Sequence, residues 1–165
     1  MTVERAAFVG AMRRVANSVA VVTTDGTEGR HGATVSSFCS VSADPPSILV
    51  CLRADARIAR IVCRHRTFCV NVLKDSAGGL AERFAGRTEP STADRFAGVR
   101  TLPTPSPYPV LADAASAFSC RVTEIVESGS HVIVVGEVLD VRASEDRPLA
   151  YLDGGYGSVV PHTPS

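Results

Sequence analysis

Residues 32–52 read GATVSSFCSVSADPPSILVCL, and they combine a hydroxyl-rich turn, a pair of prolines and a continuous apolar run from Ile48 to Leu52. The apolar run is typical of a buried strand. The turn before it can set several hydroxyls and backbone N–H groups along one edge of a β framework, where they can hold a phosphate or the polar edge of a ring. On composition alone a plainer interpretation stays open, namely a hydroxyl-lined strand and an edge strand joined at Pro45 and Pro46.

The length and charge of the chain limit its class. Its 165 residues fit a single domain, 1–165, with a core that needs no metal or disulfide. Lys+Arg and Asp+Glu both number 17, so the formal net charge is zero. No basic tail or sustained basic face favours nucleic acid as a partner.

The cysteines indicate a reducing compartment. The chain has five, and no two of them have the C-x-x-C spacing of a metal or redox motif. Several lie in apolar runs, so we expect buried free thiols in a cytoplasmic protein and no metal site. The cysteines are Cys39, Cys51, Cys63, Cys69 and Cys120.

No segment resembles a signal peptide or a membrane span. The first residues, MTVERAAFVGAMRR, carry charge where a signal peptide requires an apolar core. No apolar run approaches the roughly 20 residues that cross a bilayer. We therefore expect a protein without a membrane partner.

The first half of the chain predicts two amphipathic helices and several strands. Apolar residues at three- and four-residue intervals predict a helix over 4–16 that packs over the sheet. The β-branched run 18–24 predicts a strand, and the turn after it leads to a partner strand in the GATVSSF segment. A stripe of Ile58, Ile61 and Val62 among arginines predicts a second helix over 55–66. The strand TFCVNVL follows it.

The second half predicts a hairpin after a long irregular region. Between Asp75 and Pro109 the composition shifts to small residues and proline, with one helix near 79–84. The runs 117–126 and 132–141 flank ESGS, which indicates a β-hairpin. No Rossmann fingerprint, Walker motif or βαβ alternation is seen, so the pattern favours an antiparallel, mainly β barrel with short helices.

Four later segments complete a resemblance to a known family. They are FCVNVL (68–73), RFAG (83–86), GSHVIVVGEV (129–138) and PLAYLDGGYG (148–157). With residues 32–52, and in this order, they resemble the short-chain flavin reductases, the reductase components of two-component flavin monooxygenases. The resemblance implies a homodimeric antiparallel split β-barrel that binds FMN or FAD without a covalent bond. It also implies that NADH or NADPH donates a hydride to the flavin. The reduced flavin is then expected to diffuse to a separate flavin-dependent monooxygenase.

The resemblance places most candidate cofactor residues along the first segment. It sets Ser36 and Ser37 at the flavin ring edge or ribityl chain and Tyr156 at a position where it closes the pocket, although Tyr156 is equally well explained as a packing aromatic. Asn71 is expected to satisfy backbone groups near the flavin. The full set of expected cofactor-binding residues is Thr34, Val35, Ser36, Ser37, Ser40, Val41, Ser42, Cys51, Leu52, Arg57, Asn71, Arg83, Phe84, Ala85 and Tyr156.

The flavin phosphate is expected at an arginine. Related sequences often carry a polar Asn- and Ser-rich run after the strand, whereas this chain has RADAR at 53–57. Arg57 or Arg83 can replace the missing hydroxyls with charge-assisted bonds. Asp55 is an alternative cap for the following helix. Either arginine is otherwise a solvated charge on a helix face.

His131 is the expected catalytic residue. On pattern alone a single histidine at the start of a strand is more often structural. However, GSHVIVVGEV resembles a G-D-H segment of the reductases, which implies that His131 lies beside the nicotinamide. Ser130 stands where that segment usually has aspartate, so hydrogen bonding or stacking to the carboxamide is the expected role.

Three other functions remain open at this point. One is a flavin-binding module without reductase activity, and another is a split-barrel oxidase related to the pyridoxamine phosphate oxidases. A heme-binding relative would need an axial ligand from His31, His65 or His131. The residues also leave FAD and FMN, and NADH and NADPH, as alternatives.

Overall fold

The computed structural model describes residues 2–87, 94–105 and 108–162. Its helices are α1 Arg5–Met12, α2 Arg57–His65 and α3 Gly78–Phe84, with a 3-10 turn at Asp75–Ala77. Its strands are β1 Asn17–Ser18, β2 Ala20–Thr24, β3 His31–Val35, β4 Phe38–Ala43, β5 Pro46–Arg53, β6 Thr67–Leu73, β7 Thr101–Leu102, β8 Val110–Leu111, β9 Ala114–Ser128, β10 His131–Ala143, β11 Leu149–Leu152 and β12 Gly155–Ser158.

The main sheet has seven antiparallel strands in the order β3-β2-β6-β9-β10-β5-β4. Its two edge strands, β3 and β4, are consecutive in the chain and are joined through Ser36 and Ser37. The Cys51 amide donates to the Ser37 carbonyl at 2.9 Å, which ties this connection to β5. The sheet thus curls until its edges meet at a seam, and the predicted antiparallel split barrel is confirmed.

The barrel interior is a continuous apolar core. Phe68, Val70, Val50 and Val134 are fully buried there because inward-facing residues alternate along each strand. Helix α2 covers one side of this core with Ile58 and its neighbours, as the sequence predicted. The remaining buried residues of α2 are Ala59, Ile61 and Val62.

A second core lies on the other side of β2. Every residue of β2 is buried, since Ala20 and Val22 face the α2 side while Val19 and Val21 face α3. This two-sided cover explains why SVAVVTT is continuously apolar or β-branched rather than alternating. It also fixes α3 beside the edge strand β3, where Phe84 is 1% exposed.

The hairpin expected around ESGS is present and is longer than predicted. Strands β9 and β10 pair antiparallel from His131 opposite Ser128 to Ala143 opposite Ser116. The turn holds Gly129 at φ 57°, a left-handed conformation that glycine adopts without strain. Part of the irregular region expected at 75–109 falls at 88–93 and 106–107, outside the described residues.

In the single chain, helix α1 does not pack over the sheet, so the prediction that it would do so is wrong. It has no buried residue, and Phe8 and Met12 are 59% and 46% exposed. Its end is held only at the surface, where Arg13 Nε contacts Asp153 Oδ1 at 2.8 Å. None of the helices in the described residues has the length and apolar content that a membrane crossing requires.

All five cysteines are free thiols. Cys69 and Cys120 are buried in the sheet as expected, and burial raises the pKa of Cys69 to about 12. Cys39 is exposed and Cys51 and Cys63 are half-buried, which corrects the expectation of five buried thiols. It lies on the edge strand β4, whose residues beyond Phe38 are exposed in this chain.

Candidate functional site

A cavity opens at the seam of the barrel, and we call it the serine cavity. Its volume is about 340 Å³. It brings together residues from β3, β5, β10 and the end of α3 that the sequence predicted as one site. These are Thr34, Val35, Ser36, Ser37, Cys51, Leu52, Phe84, Ala85 and His131.

The polar edge of the serine cavity comes from β3 and the turn after it. Because β3 is an edge strand, its alternate backbone groups have no partner strand. Arg95 Nη1 donates to one of the β3 carbonyls, that of Gly32, at 3.4 Å. The side chains of Ser36 and Ser37 are exposed at the cavity mouth. Thr34 is engaged differently, since its hydroxyl donates to the Ala81 carbonyl at 2.7 Å and so anchors α3.

The apolar wall comes from aromatic and aliphatic residues of the two cores. Leu52 is 2% exposed at the end of β5 and Phe84 closes the side next to α3. Phe84 meets Phe96 edge to face, with ring centroids 4.9 Å apart and an interplanar angle of 73°. Both rings lie over Gly32, where a Cβ would fall 2.7 Å from Phe84. The wall therefore requires glycine at this position.

His131 lies at the rim of the serine cavity, at the start of β10. Its Nδ1 is 2.9 Å from the Ser130 hydroxyl. The hydroxyl can accept from or donate to that nitrogen according to the tautomer. Ser130 thus contacts the His131 ring without bringing a charge.

The carboxylate of Asp55, on the connection between β5 and α2, lies near His131. Asp55 receives two hydrogen bonds from Arg53, at 2.6 and 3.0 Å. Hydrogen bonding to Arg53 holds the pKa of Asp55 below its ordinary value, and nearby His131 acts in the same direction. Asp55 does not cap α2, because the N-cap residue is Ala56 and it makes no side-chain cap. That alternative is corrected.

A second cavity, the arginine cavity, adjoins the first and measures about 770 Å³. The two share Ala33, Ala56, Ile58 and Arg95 as lining residues. The arginine cavity adds Arg30, His31, Gly32, Arg57, Asp94 and Phe96. Three guanidinium groups therefore face one carboxylate among its lining side chains.

The arginine cavity lowers the pKa of His31, which is one of its lining residues. Burial, followed by the charges of Arg57, Arg95 and Arg60, lowers the pKa of His31 from 6.5 to about 4. The imidazole is consequently neutral at neutral pH. Asp94, the one carboxylate among the described residues that line this cavity, pairs with Arg30 at 2.7 Å.

A third cavity, the tyrosine cavity, adjoins the serine cavity on its other side. It measures about 290 Å³ and is lined by Tyr156, Tyr151 and Arg87 together with residues of β3. The two tyrosine ring centroids are 5.6 Å apart. Burial, and then a hydrogen bond with Glu82, raises the pKa of Tyr156 to about 12. Tyr156 thus stays protonated and borders the same strand as the predicted site.

Comparison with known proteins places the whole arrangement in a family. The model of the flavin reductase like domain matches residues 12–159 of this chain. The chain belongs to the flavin reductase-like family. The resemblance seen in the sequence is thereby confirmed.

Relatives of known name and structure agree over nearly the full chain. The FMN reductase (NADH) RutF of Pantoea ananatis is 37% identical over 155 residues, which cover 93% of this chain and 80% of that protein. The NADH:FAD oxidoreductase SgcE6 of Streptomyces globisporus, in complex with NAD and FAD fragments, has a TM-score of 0.87 at 28% identity, covering 96% and 94% of the two chains. BorF, the flavin reductase component of a bacterial two-component tryptophan halogenase, has a TM-score of 0.85 at 29% identity, covering 96% and 100%.

Three expected flavin-reductase residues, Ser40, Val41 and Ser42, do not line the described cavities. They lie on β4, which runs away from the seam, and they are exposed. Ser42 turns its hydroxyl to its own loop, donating to the Asp44 carbonyl at 3.0 Å. Within one chain these residues belong to an outer edge of the barrel.

Asn71 is also separate from these cavities. It is fully buried in the middle of β6. Its amide nitrogen donates to the Val21 carbonyl and the Thr23 hydroxyl, both at 3.0 Å, and its oxygen accepts from the Leu111 amide at 2.8 Å. It satisfies backbone groups as expected, but those groups join β2 and β8 rather than the cofactor cavity.

Arg83 does not line the three cavities of the single chain. Its Nη1 donates to the Ala97 carbonyl at 2.8 Å. Successive residues on a helix are turned by about 100°, so Phe84 can face the cavity while Arg83 does not. Of the two predicted arginines only Arg57 lines a cavity, the arginine cavity.

The sequence reasoning missed Arg95 and Arg30 and considered His31 only as a possible heme ligand, although all three line the arginine cavity. One signal was available, because the tetrapeptide RFAG occurs at both 83–86 and 95–98. The two copies end in glycines with the same φ of 73°. Each contributes its phenylalanine to one aromatic pair, and the second copy alone turns its arginine into the cavities.

Proposed function

We propose that this chain is an NAD(P)H-dependent flavin reductase that transfers hydride from NADH or NADPH to FAD or FMN. Relatives named as NADH-dependent FMN reductase and NADH:FAD oxidoreductase support this function. The observation that carries it is the serine cavity, which joins the hydroxyl turn Ser36–Ser37, the apolar wall of Leu52 and Phe84, and His131.

The serine cavity suits an isoalloxazine ring. Such a ring needs donors at its carbonyl edge and an apolar surface against one face. The unpaired backbone groups of β3, with Ser36 and Ser37, supply the polar edge. Leu52, Phe84 and Ala85 supply the apolar surface. The cavity remains open at its mouth, which leaves room for a second ring.

Hydride transfer from the dihydronicotinamide to the flavin requires little acid–base catalysis from the protein. When bound, the dihydronicotinamide supplies a hydride and the flavin accepts it, with a solvent proton completing the reduced flavin. The chain contributes orientation and exclusion of water, and these effects alone can supply several kcal/mol, about 7 in favourable cases. The edge of β3 holds one ring in register, and His131 at the rim holds the other. His131 needs no change of protonation in this role.

We further propose that the protein works as a homodimer and that its product leaves for a separate flavin-dependent oxygenase in the cytoplasm. The dimer is supported by exposed apolar residues on α1 and on the far ends of β9 and β10, of which Phe8, Leu139 and Val141 are more than half exposed. Apolar surface of this kind commonly marks an interface. BorF, a reductase component of a two-component system, supports a partner enzyme. Sedimentation equilibrium of the purified chain tests the dimer, and a monomer at micromolar concentration contradicts it.

One assay distinguishes the proposed activity from its alternatives. Purified protein is mixed with NADH or NADPH and with free FMN or FAD, and nicotinamide absorbance is followed. A flavin-binding module retains flavin but leaves the nicotinamide unoxidised. A pyridoxamine phosphate oxidase-like enzyme consumes oxygen with its own substrate in the absence of nicotinamide. If no nicotinamide is oxidised with either flavin and either nucleotide, the reductase function is contradicted.

A heme-binding function has less support. Its candidate ligands lie apart, with His31 in the arginine cavity and His131 at the serine cavity. His65 packs its ring against Gly26, with Nε2 3.4 Å from the Thr27 hydroxyl. In the described residues no group of three histidine, cysteine or acidic side chains is placed to hold a metal ion.

A further inference from the structure

His131 has a polar partner that does not fix its tautomer. Its Nδ1 lies 2.9 Å from the Ser130 hydroxyl. A hydroxyl both donates and accepts, so this contact is compatible with a proton on either ring nitrogen. A nicotinamide carboxamide, however, has a donor end and an acceptor end, and each tautomer of the imidazole suits only one of them. A second group is therefore needed to select the tautomer that the substrate meets.

The segment after β5 brings a carboxylate beside this ring. The backbone of Arg53 pairs with that of His131 in the ladder, and the Ala54 amide donates to the Ser130 carbonyl at 3.0 Å. This segment thus runs alongside the turn that precedes His131. Asp55 is the next residue, and its carboxylate interacts electrostatically with the imidazole.

Arg53 holds the Asp55 carboxylate in place. Its Nε and Nη2 reach the two carboxylate oxygens at 3.0 and 2.6 Å, which is the two-bond geometry of a strong charge-assisted pair. Hydrogen bonding to Arg53, and to a smaller extent the charge of His131, holds the pKa of Asp55 below its ordinary value, so the group is ionised at neutral pH. Both side chains of the pair are exposed. Their charges are screened in the free protein and act more strongly once a bound ring displaces water from the rim.

We propose that Asp55 orients the His131 ring and selects its tautomer, and so acts as a positioning residue for the nicotinamide substrate. The inference rests on the proposed reductase function. A carboxylate favours a proton on the ring nitrogen nearer to it, and the other nitrogen of the neutral ring is then the acceptor. Asp55 does not line the serine cavity, whereas Arg53 and His131 do. It therefore acts through the histidine and not on the substrate itself.

Asp55→Asn tests the charge while keeping the shape of the side chain. We expect the KM for NADH to rise about threefold and hydride transfer to slow, with the KM for flavin changed less than about twofold. Asp153→Asn is the matched control, because Asp153 is also exposed and paired with an arginine, Arg13, at 2.8 Å, but lies outside the linings of the three cavities. Unchanged NADH kinetics in Asp55→Asn overturn the proposal, and so does an equal rise in the KM for flavin.

A double substitution separates loss of the carboxylate from release of Arg53. In Asp55→Asn the guanidinium loses its partner, and Arg53 lines the serine cavity itself. Adding Ser130→Asp to this variant restores a carboxylate beside Nδ1, at the position of the present hydroxyl. The KM for NADH should return to within about twofold of wild type. If it does not return, the defect comes from the freed arginine and the proposal is wrong.

Nitrogen NMR of the His131 ring gives a measurement that does not depend on turnover. The chain has four histidines, and the spectrum of His131→Ala identifies the signals of this ring. One tautomer should dominate in the wild type, and Asp55→Asn should move both ring nitrogens toward the averaged shifts of a mixture. Identical spectra for wild type and Asp55→Asn overturn the positioning role even if flavin reduction is rapid. A ring that responds to Asp55→Asn in a chain that oxidises no NADH supports the positioning role and contradicts the reductase function instead.

Discussion

The backbone of His131 lies opposite that of Arg53 in the ladder between β5 and β10. The Arg53 guanidinium in turn holds both carboxylate oxygens of Asp55, at 2.6 and 3.0 Å. The next residue along, Ala54, donates its amide to the Ser130 carbonyl at 3.0 Å. The segment that carries Arg53 and Asp55 is thus fixed through the backbone to the turn that holds Ser130, and the His131 ring stands where the two meet.

This placement leads to a prediction for His131→Ala. His131 is exposed, so the substitution should change the free energy of unfolding by no more than about 0.5 kcal/mol. If His131 contacts the nicotinamide as proposed, the KM for NADH should rise and hydride transfer should slow while flavin affinity stays the same. Stopped-flow flavin reduction and a thermal melt on one sample measure both.

Ser130→Ala is the matched control for His131. It removes the hydroxyl 2.9 Å from Nδ1 but leaves the ring in place. A smaller effect than His131→Ala is expected, confined to the nicotinamide parameters. A His131→Ala variant with a lower melting temperature and a wild-type reduction rate would show that the histidine is structural.

Ser37→Leu should weaken flavin binding. Ser37 lies at the mouth of the serine cavity, and a leucine there removes a polar group and intrudes on the ring edge. The apparent KM for flavin should rise by about tenfold, with little change in stability because the side chain is exposed. Ser40→Leu, on β4 and outside the described cavities, is the control. If both variants bind flavin equally well, the flavin does not use this edge of β3.

Gly136→Ala should destabilise the barrel without a specific effect on the site. A Cβ at Gly136 would fall 2.8 Å from the Phe68 ring and 2.9 Å from Cys120 Cβ, and Phe68 is fully buried. Overpacking of a rigid core costs about 1–3 kcal/mol, which urea denaturation can measure. Gly157→Ala meets no atom within 4 Å and should leave stability near wild type. A Gly136→Ala variant as stable as Gly157→Ala would mean that β10 relaxes away from β6.

His31 should make the stability of the chain depend on acid pH. Its pKa falls from 6.5 in the unfolded chain to about 4 in the folded protein. Between these values the unfolded state binds a proton that the folded state does not, so stability decreases as the pH falls from about 6.5 to about 4. His31→Gln removes this contribution. The difference in unfolding free energy between wild type and variant should therefore shift against the wild type over that range and stay constant at higher pH.

Chemical denaturation at pH 7.5, 5.5 and 4.5 provides the comparison for His31. His162, near the described end of the chain and exposed, offers the control substitution His162→Gln. A pH-independent difference between wild type and His31→Gln would show that neither burial nor the neighbouring arginines lower the pKa of His31 in solution.

The strands and the seam residues were predictable because their signals are local. In β10, alternation of Val132, Val134 and Gly136 toward the core gives a period of two that the sequence shows directly. The turn at Ser36–Ser37 was found because the family resemblance supplied its role. Arg95 carries no such signal. It reaches the cavity only because the second RFAG copy folds back, where Arg95 Nη1 donates to the Phe84 carbonyl at 3.1 Å.

Other placements differ from the expectation for physical reasons. Arg83, Phe84 and Ala85 were all expected at the cofactor, yet adjacent helical residues face different directions, and Phe84 and Ala85 line the serine cavity while Arg83 does not. Asn71 was expected to satisfy backbone groups near the flavin, but the groups that its amide satisfies belong to Val21 and Leu111. The packing of α1 failed because the apolar stripe predicts a buried face without naming the surface that buries it.

The seam between β3 and β4 has a consequence for how the protein releases what it makes. A ligand bound along the free edge of β3 adds contacts without displacing any strand pairing, so neither arrival nor departure requires the ladder to break. Exchange is then limited by the ligand's own contacts rather than by unfolding of the scaffold. The barrel can thus bind a ligand at its seam and release the product without any change in strand pairing.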